Sequence, residues 1–164
     1  MQNLFFMAES FFFNTFLAFA TIFFPHKMAG AFFFVILHFK TYAKSMDAIK
    51  ELVNHITEGI QEKKGKGIVI ADMTGVEGAI CRYFVICEGN SPTQVEAIAD
   101  AVEETARVKS GEKPVKVVGL THALWVAMDY TDVIVHIFVP EMREYYNLEA
   151  LWEDAPLTHI PDLE

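Results

Sequence analysis

Basic residues are scarce in most of this chain. Residues 46–164 carry 10 Lys and Arg against 21 Asp and Glu, a balance of −11. That shortage argues against sequence-independent binding of DNA or RNA phosphates, which lives on Lys and Arg neutralisation. An acidic surface suits a basic protein instead. Cysteine is nearly absent: Cys81 and Cys87 are too few for a disulfide framework. On one extended strand, six residues apart, they would lie about 20 Å from each other, beyond disulfide reach. They are read as buried free thiols of a reducing cytoplasm. The six histidines (26, 38, 55, 122, 136 and 159) show no His-x-x-x-His spacing and there is no Cys-x-x-Cys, so no metal site is expected. No Ser-His-Asp or Cys-His arrangement is supported by spacing, and no cofactor is implied.

Long hydrophobic runs are also missing. Phe11–Phe24 is broken by Asn14, Thr15 and Thr21, and Ala29–Leu37 is separated from it by Pro25-His26-Lys27. Each is shorter than the roughly 20 apolar residues a spanning helix needs. Residues 1–45 stand apart in composition, holding 13 of the 15 Phe and a charge balance of +2. They lack the basic start and cleavage site of a signal peptide. The segment reads as a Phe-rich extension added by a start codon placed too far upstream. A membrane anchor and a structured element are the alternatives, and a membrane role is not favoured. The folded domain is expected at residues 46–164.

From Asp47 to Lys64 the apolar residues Ile49, Leu52, Val53, Ile56 and Ile60 share one helical face. Gly67–Met73 and Ala79–Glu88 read as two antiparallel strands joined by a short loop. Ser91, Pro92 and Gln94 form a capping-box signature that opens a helix running to about Lys109. Val115–Val118 is a third strand, and strand, helix, strand implies a parallel crossover. Leu124–Asp129 and Asp132–Val139 read as a hairpin. Pro140 then stops pairing, Glu141–Tyr146 and Leu148–Trp152 suit a broken helix, and residues 153–164 read as an acidic tail. The expected fold is a single α/β domain with a five-stranded mixed sheet flanked by helices.

Strand alternation points Trp125, Ala127 and Asp129 one way, and sets Asp132, Ile134, His136 and Phe138 on a shared face. A face with Trp125, Asp129, Asp132 and His136 is too polar for a plain core layer and suits protein binding around an aromatic anchor. The bland alternative is a Trp half-buried at a sheet edge with acids in solvent. Asp129 and Asp132 also invite a Mg²⁺-dependent nucleotidyltransferase-like reading, and Gly89-Asn90-Ser91 faintly suggests a phosphate turn. Yet these carboxylates straddle a hairpin, and the stretch Glu88–Glu103 contains no Lys or Arg. His136 is read as a hydrogen-bonded partner of a nearby acid rather than as a base.

The run from Trp125 through Asp129, Asp132, His136 and Phe138, then Pro140-Glu141, Arg143-Glu144, Tyr146, Leu148-Glu149 and Leu151-Trp152, resembles the Iojap-related ribosomal silencing factors (RsfS). The resemblance extends back through CRYFVICEGNSPTQVEAIADAV and covers about residues 46–162, with no counterpart to residues 1–45. One departure is Thr131, where the family commonly has Gly. The resemblance implies a non-enzymatic translation repressor that binds the large ribosomal subunit through its fourteenth protein (universal L-fourteen). Such a factor blocks joining of the small subunit, and some members are linked to large-subunit biogenesis. It also implies a fold like a reduced nucleotidyltransferase. Trp125, Asp129, Tyr130 and Asp132 are the expected contact residues, with His136 and Trp152 beside them. Whether the free protein is a monomer or a homodimer is left open by the sequence.

Overall fold

A computed structural model describes residues 29–152 and 154–163, with side chains described from Met46 onward. The expectations for residues 1–28 therefore lie outside the described residues. The chain divides into two units, Met1–Ser45 and Met46–Glu164; apart from the first part of the helix Ala29–Glu62, the elements discussed below belong to the second. Among the described residues no helix is long and apolar enough to cross a membrane.

Helix α1 (Ala29–Glu62) begins well before the expected Asp47. Its buried residues include all five of the apolar stripe, Ile49, Leu52, Val53, Ile56 and Ile60. Strands β1 (Lys66–Asp72) and β2 (Tyr83–Glu88) pair antiparallel, as expected. The second strand is shorter than the sequence suggested. Residues 79–82 are drawn into the loop, where the Ala79 amide donates to the Val76 carbonyl at 3.3 Å. Cys81 thus lies before β2 and Cys87 within it; both are buried and free. Burial pushes their thiols up, to about 11 for Cys81 and about 12 for Cys87.

Helix α2 (Pro92–Ser110) starts at an extended Ser91 whose Oγ accepts from the Gln94 amide at 3.3 Å. Gln94 does more than close a capping box. Its Oε1 accepts from the Asn90 amide at 2.8 Å, and its Nε2 donates to the carbonyls of Lys63 and Lys64, at 3.0 and 3.1 Å. One side chain therefore satisfies backbone groups at the start of α2 and just beyond the end of α1. The two helices touch closely at Gly59, where a Cβ would stand 2.9 Å from the Ala101 carbonyl oxygen.

Strands β3 (Lys116–Val118), β4 (Trp125–Asp129) and β5 (Val133–Phe138) follow. The β4–β5 hairpin forms as expected. Helix α3 (Pro140–Tyr146) is broken from α4 (Leu148–Leu151) by Asn147 in the left-handed region. The tail then supplies β6 (Leu157–Ile160), which pairs antiparallel with β1. That sixth strand corrects the five-strand expectation. Its ladder is a contact between opposite ends of the domain, invisible to a local reading.

The sheet order is β3-β4-β5-β2-β1-β6, and β2–β5 is its only parallel pair among the described residues. The β2-α2-β3 crossover is correspondingly longer than expected: β3 runs parallel to β2 but is separated from it by two strands, β5 and β4. One face, with Val85, Cys87, Val126, Met128, Val135 and Ile137, packs on α1 and α2. The other, with Phe84, Ile86 and Phe138, is covered in part by Trp125, Met142, Leu148 and Trp152.

Candidate functional site

Alternation along β4 and β5 sends Val126 and Met128 into the helix-covered core and leaves Trp125, Ala127 and Asp129 on the second face. Register then sets Trp125 opposite Phe138, Ala127 opposite His136, and Asp129 opposite Ile134. The half-buried Trp125 ring stacks on Phe138 with centroids 5.0 Å apart and tilts against Tyr146 at 4.7 Å. Its indole N–H donates to Nδ1 of His136 at 3.2 Å. Both rings of this pair are therefore fixed in orientation. His136 continues the stack to Phe84 at 5.4 Å, and Phe84 meets Trp152 at 5.6 Å. The result is an aromatic platform built from β2, β4, β5, α3 and the residue after α4.

His136 is 9% exposed, and burial lowers its pKa to about 4, opposed by the Glu149 carboxylate. The imidazole is neutral at pH 7 and accepts the Trp125 bond, so it serves the platform as a support. The expected partner for His136 was a nearby acid; the structure supplies an indole.

The hairpin tip closes the platform on one side. Asp132 N–H donates to the Tyr130 carbonyl at 2.9 Å across Thr131, which has φ +73°. This i→i+2 bond with positive φ matches a γ-turn, a strained conformation that a β-branched residue rarely adopts. Asp129 steadies it by accepting from the Thr131 amide at 2.7 Å. Asp132 pairs with Arg82 Nε at 3.0 Å, both partly exposed.

Trp125, His136 and Trp152 thus meet on one platform, with Asp129 and Asp132 at its hairpin end. Tyr130 is separated from them. It is 6% exposed and packs in the core that contains α1 and α2. There its hydroxyl has no hydrogen-bond partner among the described residues, and burial raises its pKa. Strand parity places it with Met128, a signal present in the sequence. Residues missed by the sequence reading are Arg143, Glu88 and Glu149. Arg143 Nε and Nη2 donate to Glu149 Oε1 at 2.9 and 2.7 Å, and Nη2 also donates to the Gly67 carbonyl at 2.7 Å. Glu88 Oε2 lies 3.4 Å from Nη1. This cluster borders a cleft of about 480 Å³ between the α3–α4 break and the β1–β6 edge.

The two carboxylates of the enzymatic reading are engaged locally, Asp129 in its turn and Asp132 with Arg82, and the more distant Asp72 accepts from the amide and hydroxyl of Thr74. Among the described residues no group of three His, Cys, Asp or Glu is placed to hold a metal ion.

Comparison with known proteins now decides the family. The family described as "Ribosomal silencing factor during starvation" matches residues 46–164. The chain belongs to the RsfS family. The ribosomal silencing factor RsfS of Bacillus subtilis is 39% identical over 111 residues, covering 68% of this chain and 92% of that protein. The namesake protein from Halalkalibacterium halodurans is 38% identical, covering 68% and 93%. A crystal structure of a Chromobacterium violaceum protein shares 31% identity with a TM-score of 0.60, over 64% of this chain and 86% of that one. More distantly, the mouse "Mitochondrial assembly of ribosomal large subunit protein 1" is 35% identical over 72 residues, covering 43% of this chain and 32% of that protein. Membership brings with it a role in ribosome silencing and hence in translation regulation.

Proposed function

We propose that this RsfS-family chain binds the large ribosomal subunit through its universal L-fourteen protein and thereby blocks association with the small subunit. It represses translation without catalysing a reaction. The observation that carries the reading is the Trp125 platform: an aromatic anchor held by Phe138, Tyr146 and His136 on a half-open sheet face. Asp129 and Asp132 stand at the hairpin end. A desolvated Trp commonly carries about 2 kcal/mol or more of binding energy, and nearby acids speed encounter with a basic partner. Trp152 extends the platform through Phe84, while Tyr130 acts from the core by supporting the hairpin tip.

The engaged state of Asp72, Asp129 and Asp132 supports a non-enzymatic reading. So does the start of α2, where Gln94 Oε1 takes the Asn90 amide and Ser91 Oγ takes the Gln94 amide, donors that a phosphate would otherwise meet. In this reading the sheet resembles a reduced nucleotidyltransferase without its catalytic set, and the protein works in the cytoplasm, needs no cofactor and avoids DNA. The printed name of the mouse relative fits a further part in large-subunit biogenesis. A free protein that self-associates as a homodimer would have to separate if the platform were its interface.

The test is cosedimentation of the purified chain with isolated large subunits, alone and with small subunits added. The expected result is binding to large subunits and a fall in joined ribosomes. Failure to bind, or Mg²⁺-dependent NTP turnover abolished by Asp132→Asn, would overturn the reading.

A further inference from the structure

Helices α3 and α4 present a puzzle of attachment. They have seven and four residues, contain no buried residue, and neither has a side-chain N-cap. Segments so short have little intrinsic helical stability. Yet α3 ends in Tyr146, which flanks Trp125, and α4 leads directly into Trp152, which meets Phe84. Partial burial of Met142, Leu148 and Trp152 supplies apolar contact. The polar attachment comes from Arg143.

The Arg143 side chain is 15% exposed. Its guanidinium joins four parts of the molecule: α3, on which it stands; α4, through Glu149; the start of β1, through the Gly67 carbonyl; and the end of β2, through Glu88. The planar fork is suited to this, because Lys could not present the same fixed set of donors. Gly67 is shaped to receive it. Its φ is +55°, and a Cβ there would stand 2.6 Å from Arg143 Nη1. The fork thus fastens α3 and α4 to the sheet end, and the aromatic rings at their far ends inherit that position.

We infer that Arg143 is the positioning residue of the partner-binding platform: its fork to Glu149, Gly67 and Glu88 holds α3 and α4 so that Tyr146 and Trp152 frame Trp125 and Phe84. This rests on the platform being the binding surface proposed above. Arg143 acts through those rings and need not touch the partner.

The chain has two tryptophans, Trp125 and Trp152, and both belong to the platform. Near-ultraviolet circular dichroism and tryptophan emission therefore read its geometry directly, while far-ultraviolet dichroism reads the fold. The experiment compares the full chain with Arg143→Met, Arg143→Lys and the milder Glu149→Gln by these signals and by large-subunit affinity. The expected result is a retained far-ultraviolet spectrum, a collapsed near-ultraviolet tryptophan signal, red-shifted emission and at least tenfold weaker binding for both Arg143 variants. Glu149→Gln should move each readout in the same direction by less, and it carries the test should Arg143→Met not fold. Unchanged tryptophan signals, or changed signals with unaltered affinity, would overturn the inference. If the unmodified chain itself fails to bind large subunits, the functional reading falls, and the spectra alone then decide whether Arg143 positions the platform.

Discussion

Replacing Thr131 with Gly should stabilise the domain, although it removes a side chain. Thr131 sits at φ +73° in the turn between β4 and β5, where the Asp132 amide closes back on the Tyr130 carbonyl. Left-handed backbone costs an L-residue about 1–2 kcal/mol, and Gly escapes that cost. Against this, Gly widens the unfolded ensemble, which costs roughly 0.5–1 kcal/mol. No hydrogen bond of the turn uses the Thr131 side chain: Asp129 accepts from its amide, which Gly retains. The net expectation is a gain of about 0.5–1 kcal/mol, or about 2–6 °C in Tm for a domain of this size. Thr131→Ala is the control. It keeps a Cβ in the left-handed region and should gain little. Matched thermal and urea melts of the three proteins provide the assay. A Thr131→Gly protein no more stable than Thr131→Ala would refute the backbone account and assign the turn's cost elsewhere.

Trp125→Ala should keep the far-ultraviolet spectrum, since the ring lies outside the α1–α2 core. It should weaken large-subunit binding more than tenfold, read by titrated cosedimentation. Raising salt should slow association of the unmodified chain in stopped-flow binding, because charges near the hairpin tip act mainly on encounter. Acid should loosen the platform. His136 has a folded pKa of about 4 against an ordinary 6.5, so the unfolded state binds more protons between those values. Stability is full above about pH 6.5 and falls as pH drops toward 4, by up to about 3 kcal/mol; His136→Gln should flatten that part of a Tm-against-pH curve. Gly67→Ala should lower stability by about 1 kcal/mol or more, from positive φ and from collision with Arg143. In urea melts, that loss should shrink in an Arg143→Met background.

What the sequence made legible was local. The α1 stripe, the Ser91 cap, the β4–β5 hairpin and the Asn147 break depend on neighbours a few residues apart, and each appears close to where the pattern put it. β6 escaped because Leu157–Ile160 lies between Pro156 and Pro161 in an acidic stretch, and its strand character comes from pairing with distant β1. The site was legible as far as parity reached. Alternation set Trp125 and Asp129 on one face and His136 on the matching face of the next strand. Parity carried through to the turn would also have sent Tyr130 inward with Met128. Arg143 was beyond such reasoning, since its partners Gly67, Glu88 and Glu149 come from three separate elements.

The central parallel pair has a consequence for the order in which the chain can be made. Each residue of β2 pairs with one fifty positions further on, Tyr83 with Val133 through to Glu88 with Phe138. During synthesis, β1, β2 and α2 emerge while the middle of the sheet has no occupant. β2 then presents an open edge of the kind that recruits stray strands. Closure waits for a preformed β4–β5 hairpin to slot against it, a long-range step that slows folding of the whole domain. Chains stopped before Val133 should therefore aggregate. Chains stopped between Trp152 and Leu157 keep α3 and α4, lack only an outer strand of the sheet and should stay soluble far longer.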